Sequence, residues 1–124
     1  SLPVDVIKDV DEITQMVEKS KKTGVVYIGG GVPKNFIQQT EVTSSILGSG
    51  AKGHDYAIQF TTDPPHYGGL SGCTFEEAVS WGKVSAAAKK VQVYVDATIA
   101  LPIVSHALQE KSKKRKKVDW NSTF

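Results

Sequence analysis

Three short runs rich in β-branched and aromatic residues constrain this chain most: GVVYIGGG at 24–31, DYAIQFTT at 55–62 and VQVYVDATI at 91–99. Each has the length and composition of a buried strand, and the first ends in a tight glycine loop. Helical patterns stand between and around them. In residues 4–22, Val6, Val10, Ile13, Met16 and Val17 recur at the helical period, and Gly24 follows as a stop. Pro33 suits the first turn of a second helix running to about residue 47. Thr74 and Glu77 match the capping box, so a third helix should open near Phe75. ALPIVSHALQEKSKK then reads as a last helix entering a basic tail. Strands alternating with helices require right-handed crossovers, hence an α/β fold with a parallel sheet covered on both faces.

The 124 residues, 40% hydrophobic and 23% charged, describe one ordinary globular domain. We divide it into a body at 1–110 and a basic tail at 111–124. The formal net charge is only +2, yet KSKKRKK at 111–117 holds six basic residues, so the body is slightly acidic. A basic run without interleaved aromatics reads as a solvated helix end, and no nucleic-acid partner is expected. Steeply salt-dependent binding, lost on deleting 111–117, would contradict that. The single cysteine, Cys73, forms no intrachain disulfide, and no metal-ligand spacing occurs. No apolar run approaches a membrane span and no signal-peptide layout opens the chain, which points to the cytoplasm. A start at Ser1 without methionine, in the middle of a helical pattern, suggests a fragment, a processed chain or one part of a larger protein.

Ligands of open α/β sheets bind beyond the carboxyl ends of the strands. IGGGVPKN puts a glycine loop at a helix N-terminus, which favours an anionic or ribose-phosphate ligand, although a plain tight turn has the same sequence. The loop TTDPPHYGGLSGC follows the second strand. Asp96 follows VQVYV, where it can accept ribose hydroxyls or cap the last helix. In EEAVSWGK at 76–83, a helix ending near Gly82 would converge Glu77, Trp81 and Lys83 on a pocket. A lysine beside an indole and away from water has the depressed pKa that a Schiff-base nucleophile needs. Glu77 and Trp81 suit a cationic amine. The alternatives are a capping acid, a core indole and a snorkelling lysine. His54, His66 and His106 offer no triad spacing, and His106 is expected to pack on the last helix.

EEAVSWGK closely resembles the active-lysine segment of deoxyhypusine synthase. GGGVPKN, DYAIQFTT, GGLSG and VYVDATIALP follow in that family's order, so the resemblance covers about residues 4–108. It implies a Rossmann-like NAD-binding fold of the deoxyhypusine synthase type, represented here by its C-terminal part. It also implies a homotetramer with active sites at subunit interfaces. The implied reaction moves the 4-aminobutyl group of spermidine, through an enzyme-lysine imine and with NAD, to a lysine of the hypusine-containing translation factor. By motif match Lys83 is the catalytic lysine. Asn35, Gly68, Gly69, Leu70, Glu77 and Trp81 fall at substrate positions, and Gly30, Thr62, Ser71, Asp96 and Ala97 at NAD positions. Asn35 and Leu70 replace a histidine and an acid of the eukaryotic pattern. In this respect the chain looks more like the deoxyhypusine synthase-like proteins of prokaryotes, some of which pass the group to putrescine. Two other outcomes therefore stand beside the protein acceptor: homospermidine synthesis, or a non-catalytic regulatory paralogue. Because the family's remaining site residues lie in an N-terminal part, the isolated chain is expected to be inactive.

Overall fold

The computed structural model describes residues 4–64, 80 and 84–112. Their elements run α1 (Val6–Lys19), β1 (Gly24–Ile28), α2 (Gly31–Gln38), α3 (Thr40–Ile46), β2 (His54–Thr61), β3 (Val84–Tyr94) and α4 (Ala97–Lys111). The strands form one parallel sheet in the order β1-β2-β3. The α/β class and parallel sheet expected from the alternation are therefore present.

Both termini of α1 are closed by their own sequence. Asp5 accepts a hydrogen bond from the Lys8 amide at 3.0 Å, and the Ser20 amide closes the last turn onto Val17 O at 3.1 Å. Of the apolar stripe predicted for this helix only Val17 is buried, joined by Thr14, while Val6 stays exposed. The helix expected from Pro33 to residue 47 is two helices, separated at Gln39. Ser44, wholly buried on α3, ties this layer together. Its hydroxyl donates to Glu18 Oε1 at 2.8 Å and accepts from the Ala51 amide at 2.9 Å.

The third strand departs most from its expected bounds. It begins at Val84 rather than residue 91, and it ends at Tyr94, so Ala97–Ile99 belong to α4. The alanines at 86–88 reach β2 only through an irregularity: His54 pairs with Val84, but Tyr56 pairs with Lys89. Asp96 ends the extended run because its side chain caps α4.

Strand register fixes the two faces. Val25 lies beside Ala57 and Tyr27 beside Gln59, and these four residues are buried. Ile37 of α2 packs on the Val25–Tyr27–Ala57 cluster. On the opposite face Val26, Ile58 and Val91 form one row in register, yet Val26 is 59% and Val91 54% exposed. Among the described residues, then, one face is covered over β1 and β2, and the Val26–Val91 row of the other is open. No residue of α4 is buried, and His106, expected to pack, is exposed. No described helix is long and apolar enough to cross a membrane.

Candidate functional site

The site forms where β1 and β2 end. The chain leaves β1 through Gly29, whose φ of +78° is in the left-handed region that favours glycine. Gly31, at φ +72°, opens α2. The helix N-cap is Gly30, and no side chain caps the first turn of α2. Gly29 is held on both sides by β2. Its N–H donates to Phe60 O at 2.8 Å, and its carbonyl accepts from Gln59 Nε2 at 2.8 Å.

A cleft of about 370 Å³ opens beside this loop, walled by Ile28–Gly31, Phe60–Asp63, Asp96 and Ala97. Gly30, Thr62, Asp96 and Ala97, widely separated in sequence, thus come together on one cavity. Asp96 stands at its rim as the N-cap of α4. Oδ1 accepts from the Thr98 amide at 2.8 Å and from the Thr98 hydroxyl at 2.6 Å. These two hydrogen bonds hold the carboxyl below the usual range, so it is anionic at neutral pH. Both fall on Oδ1, which means that capping does not consume the second oxygen. The two sequence readings of Asp96, cap and acceptor for a ligand, are compatible.

A glycine wall that lets backbone approach closely, a helix start without a side-chain cap and a fixed carboxylate are the groups a dinucleotide uses: N–H toward phosphate, carboxylate toward ribose. The donor set fits such a ligand. Asn35, half-buried on α2, does not line this cleft. Lys83, Glu77, Trp81, Gly68, Gly69, Leu70 and Ser71 lie outside the described residues, as does the capping-box helix start.

Sequence reasoning missed Gln59. It sits 1% exposed in the middle of the apolar run AIQF, and an amide there must find a hydrogen-bond partner. That isolated polar residue in a buried strand was the available signal. Sequence reading also left His54 without a role. It is 3% exposed, with Nδ1 2.9 Å from Thr23 Oγ1 and Nε2 3.2 Å from Ile37 O. A carbonyl can only accept, so Nε2 carries the proton and Nδ1 takes the threonine hydrogen. Burial lowers its pKa, outweighing the Ile37 hydrogen bond and nearby Asp55, which raise it. His54 is a core histidine, at the opposite end of β2 from the cleft.

A parallel α/β sheet with a ligand-sized cleft at the carboxyl ends of its strands defines the class: a Rossmann-like fold. The deoxyhypusine synthase family model matches residues 1–108, and the chain belongs to that family. Over 117 residues it is 74% identical to a probable deoxyhypusine synthase 2 of Methanosarcina acetivorans, covering 94% of this chain and 34% of that protein. A protein of the same description from Methanosarcina mazei is 77% identical over 112 residues, 90% of this chain and 32% of its own length. One from Archaeoglobus fulgidus is 66% identical over 105 residues, 85% and 35% respectively. The chain spans about a third of the length of these relatives.

Proposed function

We propose that this chain is the lysine-bearing part of a deoxyhypusine synthase. It takes part in NAD-dependent transfer of the spermidine aminobutyl group to a lysine of the hypusine-containing translation factor. The observation that carries the reading is the intact EEAVSWGK motif, in a chain whose motif-matched cofactor positions Gly30, Thr62, Asp96 and Ala97 line one cleft. Lys83 forms the imine that carries the aminobutyl group. Glu77 and Trp81, with Asn35 and the Gly68–Leu70 segment, hold the polyamine. Gly30 and the start of α2 receive the dinucleotide phosphates, Asp96 a ribose, and Thr62, Ser71 and Ala97 complete that site. NAD, when bound, supplies the acceptor and later the donor of hydride.

A protein acceptor is favoured over putrescine, and catalysis over a regulatory role, by the high identity to proteins described as probable deoxyhypusine synthases. The chain works in the cytoplasm, within a homotetramer whose sites lie at subunit interfaces. Alone it is inactive, in keeping with its third of the family length and with the exposed row on its sheet.

The test combines the chain with the remaining two thirds of the Methanosarcina acetivorans relative, then adds spermidine and NAD and traps with borohydride. The expected result is an adduct on Lys83 and release of diaminopropane, both lost in Lys83→Arg. Turnover by the 124-residue chain alone, or by the arginine variant in the assembly, would refute the proposal. Offering the translation factor and putrescine together identifies the acceptor.

A further inference from the structure

We propose that Gln59, a residue no motif points to, is the positioning residue that aims the Gly30 N–H into the cleft; this rests on the reading of that cleft as the dinucleotide site. The carbonyl of Gly29 and the N–H of Gly30 belong to the same peptide plane, and no described peptide is cis, so the two point in opposite directions. Gln59 holds the carbonyl at 2.8 Å. Its neighbour in register is Tyr27, so Gln59 lies on the covered face of the sheet, 1% exposed. The carbonyl therefore points toward the covered face, and the Gly30 N–H away from it. Ile28 and Phe60, paired in register on that other face, are part of the cleft wall.

Backbone alone does not fix this orientation. The Gly29 N–H is committed to Phe60 O, but the peptide that follows is flanked by two glycines and can turn with little steric resistance. The side-chain amide of Gln59 selects one of its orientations. Losing it leaves a buried carbonyl unsatisfied, which the loop relieves by turning that carbonyl toward water and the N–H out of the cleft.

Gln59→Met keeps the volume and removes the donor. Gln59→Glu keeps the shape and can donate only when its carboxyl is protonated. The probes are NAD and inorganic pyrophosphate, titrated against the whole chain and followed by amide chemical shifts, with hydrogen exchange at Gly30 as an independent readout. The proposal expects Gln59→Met to weaken both ligands about tenfold and to speed Gly30 exchange by a similar factor, with exchange in α1 unchanged. Gln59→Glu should match the methionine variant at pH 8 and recover toward wild type at pH 5. Ligand binding and exchange within twofold of wild type in Gln59→Met would overturn it, as would a glutamate variant insensitive to pH. If the wild-type chain binds neither probe even when combined with the remaining two thirds of the Methanosarcina acetivorans relative, the cofactor reading fails, and Gly30 exchange alone then decides the role of Gln59.

Discussion

Replacing Gly29 by alanine separates the strain of the glycine loop from its contact with a ligand. At φ +78° an L-residue carries a left-handed penalty of ~1–2 kcal/mol. Alanine also narrows the unfolded ensemble, which offsets about 0.5 kcal/mol of that. Sterics add nothing, because an ideal Cβ at Gly29 meets no heavy atom within 4 Å. Strain therefore wins, by about 1 kcal/mol, and for a domain of this size the melting temperature should fall by roughly 4 °C. Gly48 supplies a matched control. Its φ is +81°, a Cβ there also meets nothing within 4 Å, and it follows α3, outside the cleft. Gly48→Ala should cost the same stability in urea titrations. The two variants should part in NAD binding: Gly29→Ala weakens it by an order of magnitude or more, and Gly48→Ala leaves it unchanged. Equal loss of NAD binding in both variants would refute the assignment of the loop. A Gly29 variant as stable as wild type would refute the strain argument.

Asp96→Asn preserves an oxygen for Thr98, so thermal stability should hold while NAD affinity drops; Asp96→Ala should lose both, and an asparagine variant that binds NAD normally would remove the carboxylate from the site. Ser44→Ala strands the Ala51 amide, while the exposed Glu18 carboxylate returns to water, at a cost of ~1–3 kcal/mol measurable by urea unfolding. His54, with its pKa lowered by burial, takes up a proton more readily unfolded than folded. Its contribution to stability is complete above its ordinary value of 6.5 and is lost as pH falls through that value toward the lower folded one. His54→Gln should flatten that part of the pH–stability curve, and an unchanged curve would assign the acid sensitivity to other groups.

What the sequence made legible and what it hid divide along one physical line, whether a residue's partner is local or distant. The α/β order was readable because hydrophobic periodicity and caps are local. The end of β3 turned on the same kind of signal, a single capping aspartate, but VQVYVDATI masks it: Ala97 and Ile99 look like strand until the Asp96–Thr98 hydrogen bonds are seen. The early start of β3 was hidden for the opposite reason. Alanines at 86–88 have no intrinsic taste for a strand, and they lie in the irregularity between the pairings of Val84 and Lys89 with β2. Gln59 is the extreme case. Its partner is a carbonyl 30 residues away, in the glycine loop after β1. The motif match could place Gly30 and Asp96 in one site because it carries the fold with it, but it could not say why the glycine loop holds its shape. A glutamine inside AIQF is unfavourable in a buried strand unless it is hydrogen-bonded, so a fold that keeps it there has a carbonyl that needs it. In this chain that carbonyl belongs to the same peptide as the amide that faces the cleft.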